Sequence, residues 1–307
     1  SMIKKKIFIT GGSGFIGTSL IKNLIDSGYK INCLDLRKPK YPNSKNLKFF
    51  KGSINDKKLV KKAISNCNIV IHLAASLGVQ HTDQNIIECL DLNIYGTRIL
   101  LETAKKIKID KFIFISSSEV YGDQIKFPIK EKYELKNKSI YATSKIVAEQ
   151  YVRGFYQKYK LKFNIIRFFN VYGPRQKDNF VMSKFKKQVK NNQSLTVFGN
   201  GKQIRSFCNI SDATEGLIQV MEKGKNNETY NIGNNNEPIS VYKLANKFVK
   251  ISNKNLKIKK IPYSKSDRTK TREIFKRYPD LNKIFKDTRY RPKKDLQEGI
   301  KELIDLE

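Results

Sequence analysis

Tyr141 and Lys145 are the residues of this chain whose types and spacing point most directly to chemistry. They open Tyr141-Ala142-Thr143-Ser144-Lys145, four residues apart, and so share one face of any helix they start. An ammonium one turn from a phenol stabilises the phenolate and lowers the phenol's pKa. A phenolate so prepared takes the proton from a substrate hydroxyl while the same carbon is oxidised. Upstream, Phe114-Ile115-Ser116-Ser117-Ser118-Glu119-Val120-Tyr121-Gly122 ends an apolar run. It supplies a hydroxyl, Ser117, and a carboxylate, Glu119, at the kind of strand end beyond which ligands bind in doubly wound sheets.

A second signature lies near the beginning. Gly11-Gly12-Ser13-Gly14-Phe15-Ile16-Gly17 follows the apolar run Ile7–Thr10 and opens a helical pattern. Strand, glycine turn and helix in that order suit a dinucleotide pyrophosphate. Gly11 permits the tight turn, Gly14 lets backbone approach the phosphates, and Gly17 lets helix and sheet pack closely. The helix start offers unpaired N–H groups and partial positive charge. Asp35 ends the next strand, where a carboxylate binds the adenosine ribose hydroxyls and repels a ribose phosphate, so NAD is favoured over NADP.

These residues need elements to hold them. Strands are expected at Ile7–Thr10, Lys30–Asp35, Leu47–Phe50, Ile69–Leu73, Lys111–Ser116 and Phe163–Phe168. Helices are expected at Phe15–Ser27, Asp56–Ile64, Asp83–Ile107 and Ser139–Lys160. Strand alternating with helix means a parallel sheet covered on both faces, an α/β doubly wound sheet of the Rossmann type. The pattern loosens after Pro174: a helix at Met182–Lys190, strands at Leu195–Phe198 and Ile204–Asn209, and loops around one short strand in Lys223–Asn236. Residues 2–174 with 206–236 are read as the NAD-binding domain. Residues 175–205 with 237–307 are read as a smaller mixed α/β substrate-binding domain.

Composition narrows the classes. With 39% hydrophobic and 29% charged residues the chain suits a globular protein with a sizeable core. No apolar run approaches the roughly 20 residues of a membrane-spanning helix. The basic start lacks a signal-peptide core, and Ser1 before Met2 reads as a cloning scar, so a cytoplasmic location is expected. The four cysteines and two histidines show no metal-ligand spacing, and no metal is expected. The net charge of +33 comes from lysines spread along the whole chain, which argues for a solvated surface rather than nucleic-acid binding.

Taken in order, the glycine loop, Ile71-His72-Leu73-Ala74-Ala75, Asn93-Ile94-Tyr95-Gly96-Thr97, the serine strand, Tyr141 with Lys145, and Arg167-Phe168-Phe169-Asn170-Val171-Tyr172-Gly173-Pro174 closely resemble extended short-chain dehydrogenase/reductases. Within these they resemble the nucleotide-sugar epimerase/dehydratase group, from the first strand to about residue 300. The resemblance implies Ser117 as the catalytic hydroxyl, Tyr141 as base and Lys145 as its partner. It implies a cofactor site of Gly11, Gly14, Phe15, Ile16, Gly17, Asp35, Leu73, Ala74 and Ala75 with Tyr141 and Lys145. Asn170 would face the substrate. The segment Leu195–Arg205, with Val197, would cradle nucleobase and diphosphate, Arg205 as one phosphate clamp and Arg268 or Arg272 as another.

Every such enzyme first makes a 4-keto sugar. Ser117-Ser118-Glu119 resembles the triplets of dehydratases and decarboxylases, in which the Glu is a C5 base, although Ser118 stands where an acidic Asp is common. Ser76–His81 and Arg277–Ile284 look more like the epimerase branch. A UDP-sugar 4-epimerase is therefore expected. The alternatives are an NDP-sugar 4,6- or 5,6-dehydratase or decarboxylase using Glu119, or a non-catalytic dinucleotide- or nucleic-acid-binding protein. The helices Asp83–Ile107 and Ser139–Lys160 resemble the pair through which relatives form homodimers.

Overall fold

The computed structural model describes residues 5–40, 44–75, 79–265 and 273–306. Six consecutive strands, β1 (Lys6–Thr10), β2 (Lys30–Asp35), β3 (Leu47–Lys51), β4 (Ile69–His72), β5 (Lys111–Ser117) and β6 (Phe163–Phe168), join Glu228–Ile232 in one seven-stranded sheet. Its order is Glu228–Ile232, β6, β5, β4, β1, β2, β3, and every pairing is parallel. The doubly wound parallel sheet expected from the alternation is what forms.

Period-two side-chain alternation shows why both faces are covered. Ile7, Ile9, Ile71, Ile113, Ile115 and Ile166 enter one apolar cluster, with Leu20, Ile21 and Leu24 of helix Phe15–Asp26 and Ala213, Leu217 and Val220 of helix Ile210–Lys223. Their neighbours Phe8, Val70, Phe112, Phe114 and Ile165 enter another, against helices Lys57–Ala63, Gly96–Lys106 and Ile140–Tyr159. A third cluster lies apart from the sheet. It is built by Met182 and Phe185 of helix Val181–Lys190, Leu195 and Val197, Leu244 and Phe248 of helix Val241–Ser252, and Ile300 of helix Leu296–Asp305.

Two expectations are corrected. Asp83–Ile107 is not one helix: Val79–Gln84 and Ile86–Leu90 are separate, and Asp91–Tyr95 is a wide π turn leading into Gly96–Lys106. Nor is Ile204–Asn209 one strand. Ile204–Arg205 pairs with Ile239–Ser240 and Lys276–Arg277, whereas Cys208–Asn209 pairs with Val171–Tyr172. The helices Ile210–Lys223 and Val241–Ser252 follow side-chain caps, Asn209 accepting from the Ser211 amide and Ser240 from the Lys243 amide.

Candidate active site

The glycine turn connects β1 to helix Phe15–Asp26. Gly11 has φ +70°, and a Cβ there would stand 2.6 Å from the Ala74 amide nitrogen; a Cβ on Gly17 would stand 2.5 Å from the Gly11 carbonyl oxygen. Both positions are closed by backbone. Gly14 differs: its Cβ would meet only the Gly11 oxygen, at 3.4 Å. Gly14 is also the helix N-cap and supplies no side-chain cap, so the amides of the first turn, at Phe15 and Ile16, face an open approach. At the end of β2, Asp35 accepts from the Ser13 amide at 3.0 Å and the Arg37 amide at 3.3 Å, tying the glycine turn to the carboxylate. Leu73, Ala74 and Ala75 follow β4 beside this turn and are partly exposed. An open, uncapped helix start next to a strand-end carboxylate fits a dinucleotide. Gly14, Phe15 and Ile16 would hold its pyrophosphate and Asp35 its ribose.

Helix Ile140–Tyr159 begins at Ser139, whose hydroxyl accepts from the Ala142 amide. That cap places Tyr141 and Lys145 in the first two turns, both buried, at 8% and 3% exposure. The Lys145 ammonium donates to the Ile115 carbonyl at 2.8 Å and lies 5.9 Å from the Tyr141 ring centre. Burial pulls Lys145 down to about 8, with Cys89 and Glu149 opposing. Burial pushes the Tyr141 phenol well above its ordinary value. The Glu119 carboxylate adds to this, while a hydrogen bond with Ser117 and the charge of Arg277 oppose it. Ser117 ends β5, and its hydroxyl also accepts from the Glu119 amide at 3.2 Å. Ser117, Tyr141 and Lys145 are thus brought together beside the turn carrying Glu119.

The sequence reading missed Arg277. Its guanidinium lies 2.7 Å from the Glu119 carboxylate and donates to Asn170 Oδ1 at 3.3 Å. Asn170 has φ +45°, and its Nδ2 is buried without a hydrogen-bond partner. The available signal was segment Arg277–Ile284, which was read only for its family likeness.

The expected nucleotide cradle is met unevenly. Arg205 is 8% exposed and bonded to Glu273 at 3.2 Å and to the Ile204 carbonyl at 2.9 Å. It stands in register beside Arg277 on the neighbouring strand. Val197, expected to line the substrate, is 1% exposed within the third apolar cluster and presents no open side-chain surface. Arg268, Arg272 and Ser76–Gly78 lie outside the described residues. Among the described residues no group of His, Cys, Asp and Glu could hold a metal, and no helix is long and apolar enough to cross a membrane.

Comparison with known proteins agrees with this geometry. Residues 7–233 match the model of the NAD dependent epimerase/dehydratase family. The chain is 34% identical to the UDP-N-acetyl-alpha-D-glucosaminuronate decarboxylase of Bacillus cytotoxicus, covering 98% of this chain and 97% of that protein. It is 32% identical to the human dTDP-D-glucose 4,6-dehydratase, covering 98% and 89%. The structure of UDP-glucuronic acid 4-epimerase from Bacillus cereus, in complex with UDP-glucuronic acid and NAD, superposes with a TM-score of 0.89 at 29% identity over 98% of each chain. The chain is thus an NAD-dependent enzyme and belongs to the NAD dependent epimerase/dehydratase family.

Proposed function

We propose that the chain acts on a UDP-linked sugar through a 4-keto intermediate, and that the sugar is a uronate which then loses its C6 carboxyl group. The juxtaposition of Glu119, Arg277 and Tyr141 carries this reading. Bound NAD supplies the two-electron acceptor for C4. Tyr141, as phenolate beside Lys145, takes the C4 hydroxyl proton, and Ser117 holds that oxygen. A ketone at C4 makes a C6 carboxylate a β-keto acid. The C5–C6 bond then breaks towards the C4 oxygen, carbon dioxide leaves, and the enolate takes a proton at C5. Glu119, with a quarter of its side chain exposed, is placed to pass that proton from solvent, and Arg277 fixes its position.

Decarboxylation suits the site better than dehydration. Loss of a C6 hydroxyl requires an acid to protonate it, and Ser118, where that acid is common, is 2% exposed and does not titrate in this range. Carbon dioxide needs no such acid. The full-length similarity to a UDP-sugar decarboxylase supports the same choice.

A second reading is the UDP-sugar 4-epimerase expected from sequence. The structural similarity to a UDP-glucuronic acid 4-epimerase supports it. Incubation with UDP-, GDP- and dTDP-sugars, uronates included, followed by mass and proton NMR, separates the outcomes. Loss of carbon dioxide supports decarboxylation. Loss of water, or unchanged mass with altered ring couplings, overturns it in favour of dehydration or epimerisation.

We propose Arg205 as a diphosphate clamp that exchanges Glu273 for phosphate oxygens, its planar fork matching them. Arg268 remains the proposed second clamp. We further propose a homodimer, supported by exposed Ile86, Ile87, Tyr95 and Tyr159 on the paired helices. Light scattering giving a monomer mass at micromolar concentration overturns it.

A further inference from the structure

His72, buried at the end of β4, belongs to none of the roles above. Its Nδ1 is 2.6 Å from Thr10 Oγ1 and its Nε2 is 2.9 Å from Thr97 Oγ1. The hydroxyl protons settle the direction of both bonds. Thr97 donates its proton to the Asn93 carbonyl at 2.7 Å, so towards His72 it accepts. Nε2 therefore carries the imidazole proton, Nδ1 is the acceptor, and Thr10 donates to it. Thr10 in turn accepts from the Ala74 amide at 3.2 Å. The result is one directed chain, from the Ala74 N–H through Thr10, His72 and Thr97 to the Asn93 carbonyl.

Both ends of the chain lie at functional segments. Ala74 is the residue against which Gly11 packs, so its amide lies against the glycine turn that would hold NAD. Asn93 lies in the π turn Asp91–Tyr95, and its side-chain amide donates to Ser144 Oγ at 3.0 Å. Ser144 donates to the Tyr141 carbonyl at 2.7 Å. We propose that His72 and Thr97 are positioning residues which, through this proton-ordered chain, lock the Leu73–Ala75 segment to the turn of helix that carries Tyr141.

The chain works in one protonation state. An imidazolium would donate from both nitrogens, and Thr10 would have to reverse. The surroundings exclude that charge: the rings of Phe112 and Phe114 stand 6.3 and 5.9 Å from the imidazole, and burial with the nearby Lys145 ammonium pulls His72 down to about 3.

Nitrogen-15 NMR of the histidine rings in the protein without NAD, with calorimetric titration of NAD, tests the proposal on wild type, Thr97→Val and Thr97→Ser. Wild type shows a single Nε2–H tautomer for His72. Thr97→Val is close in shape but cannot accept; it mixes the tautomers and weakens NAD about ten-fold, or about 1.4 kcal/mol. Thr97→Ser restores both to within about two-fold, or about 0.4 kcal/mol. Thr97→Val with a lowered melting temperature but unchanged tautomer and NAD affinity makes the contact merely structural and overturns the proposal. Should Thr97→Val not fold, an Nδ1–H tautomer or an imidazolium in wild type at neutral pH overturns it alone.

Discussion

The Arg277 guanidinium lies 2.7 Å from the Glu119 carboxylate, and the two act on Tyr141 with opposite sign. Glu119 raises the phenol's pKa and Arg277 lowers it. With Tyr141 as the proposed base, acting as phenolate, the rise of kcat with pH follows that pKa. Arg277→Gln removes the lowering charge, so this limb moves to higher pH. Glu119→Gln removes the raising charge, so it moves to lower pH. Shifts of about 0.5–1 unit are expected, in line with partly buried neighbouring charges. Rate profiles of both variants in the same direction, or superposable on wild type, contradict the arrangement.

Tyr141→Phe keeps the ring, which is 8% exposed, and deletes only the hydroxyl that shares a hydrogen bond with Ser117. Turnover should fall roughly 10²–10⁴-fold, the usual contribution of a positioned acid–base group, while calorimetry finds NAD binding within about two-fold of wild type, about 0.4 kcal/mol. A variant turning over within ten-fold of wild type removes Tyr141 from the role of base.

Asp35 has two duties that a pair of variants separates. Its carboxylate accepts the Ser13 and Arg37 amides, and its proposed second duty is to accept from the ribose hydroxyls of NAD. Asp35→Ala loses both, and NAD affinity should drop about ten- to hundred-fold, about 1.4–2.7 kcal/mol. Asp35→Asn retains an acceptor for the Ser13 amide, so its loss isolates the ribose contact, and binding of NADP relative to NAD should improve as the repelling charge goes. Unchanged NAD affinity in both variants contradicts the assignment.

These particulars show what was legible in the sequence. Tyr141, Lys145, Ser117 and the glycine turn are local signals, each carried by one strand end or helix start, and the structure brings Ser117, Tyr141 and Lys145 together. The seven-stranded sheet was legible for the same reason: its apolar strands alternate with amphipathic helices. Arg277 was not, because it reaches Glu119 and Asn170 across 158 and 107 positions of chain and no local pattern announces such a contact. The segment Leu195–Arg205 was legible only through its family likeness, which does not say that the Val197 side chain turns into the third apolar cluster. The break at Asn85 and the π turn at Asp91–Tyr95 were hidden for a related reason: the apolar spacing of Asp83–Ile107 is helical on either side of both.

His72 gives a prediction about stability whose sign follows from its burial. In the folded chain its pKa is pulled down to about 3 from an ordinary 6.5. Above pH 6.5 the imidazole is neutral in folded and unfolded chains alike, and contributes no pH dependence. As pH falls below that value the unfolded chain takes up a proton that the folded chain refuses, so stability declines by about 1.4 kcal/mol per unit. The loss stops growing near pH 3, where the folded chain would accept the proton as well. Urea unfolding at pH 7.5, 6 and 5 measures this directly. His72→Gln, uncharged throughout, should be less stable than wild type at pH 7.5 because the Thr10 and Thr97 contacts are disturbed. It should lose less than wild type between pH 6 and 5, and the curves should converge as the medium becomes more acid. Parallel curves across that interval would mean that His72 accepts a proton in the folded protein, and that its chain of hydrogen bonds is not held in one direction.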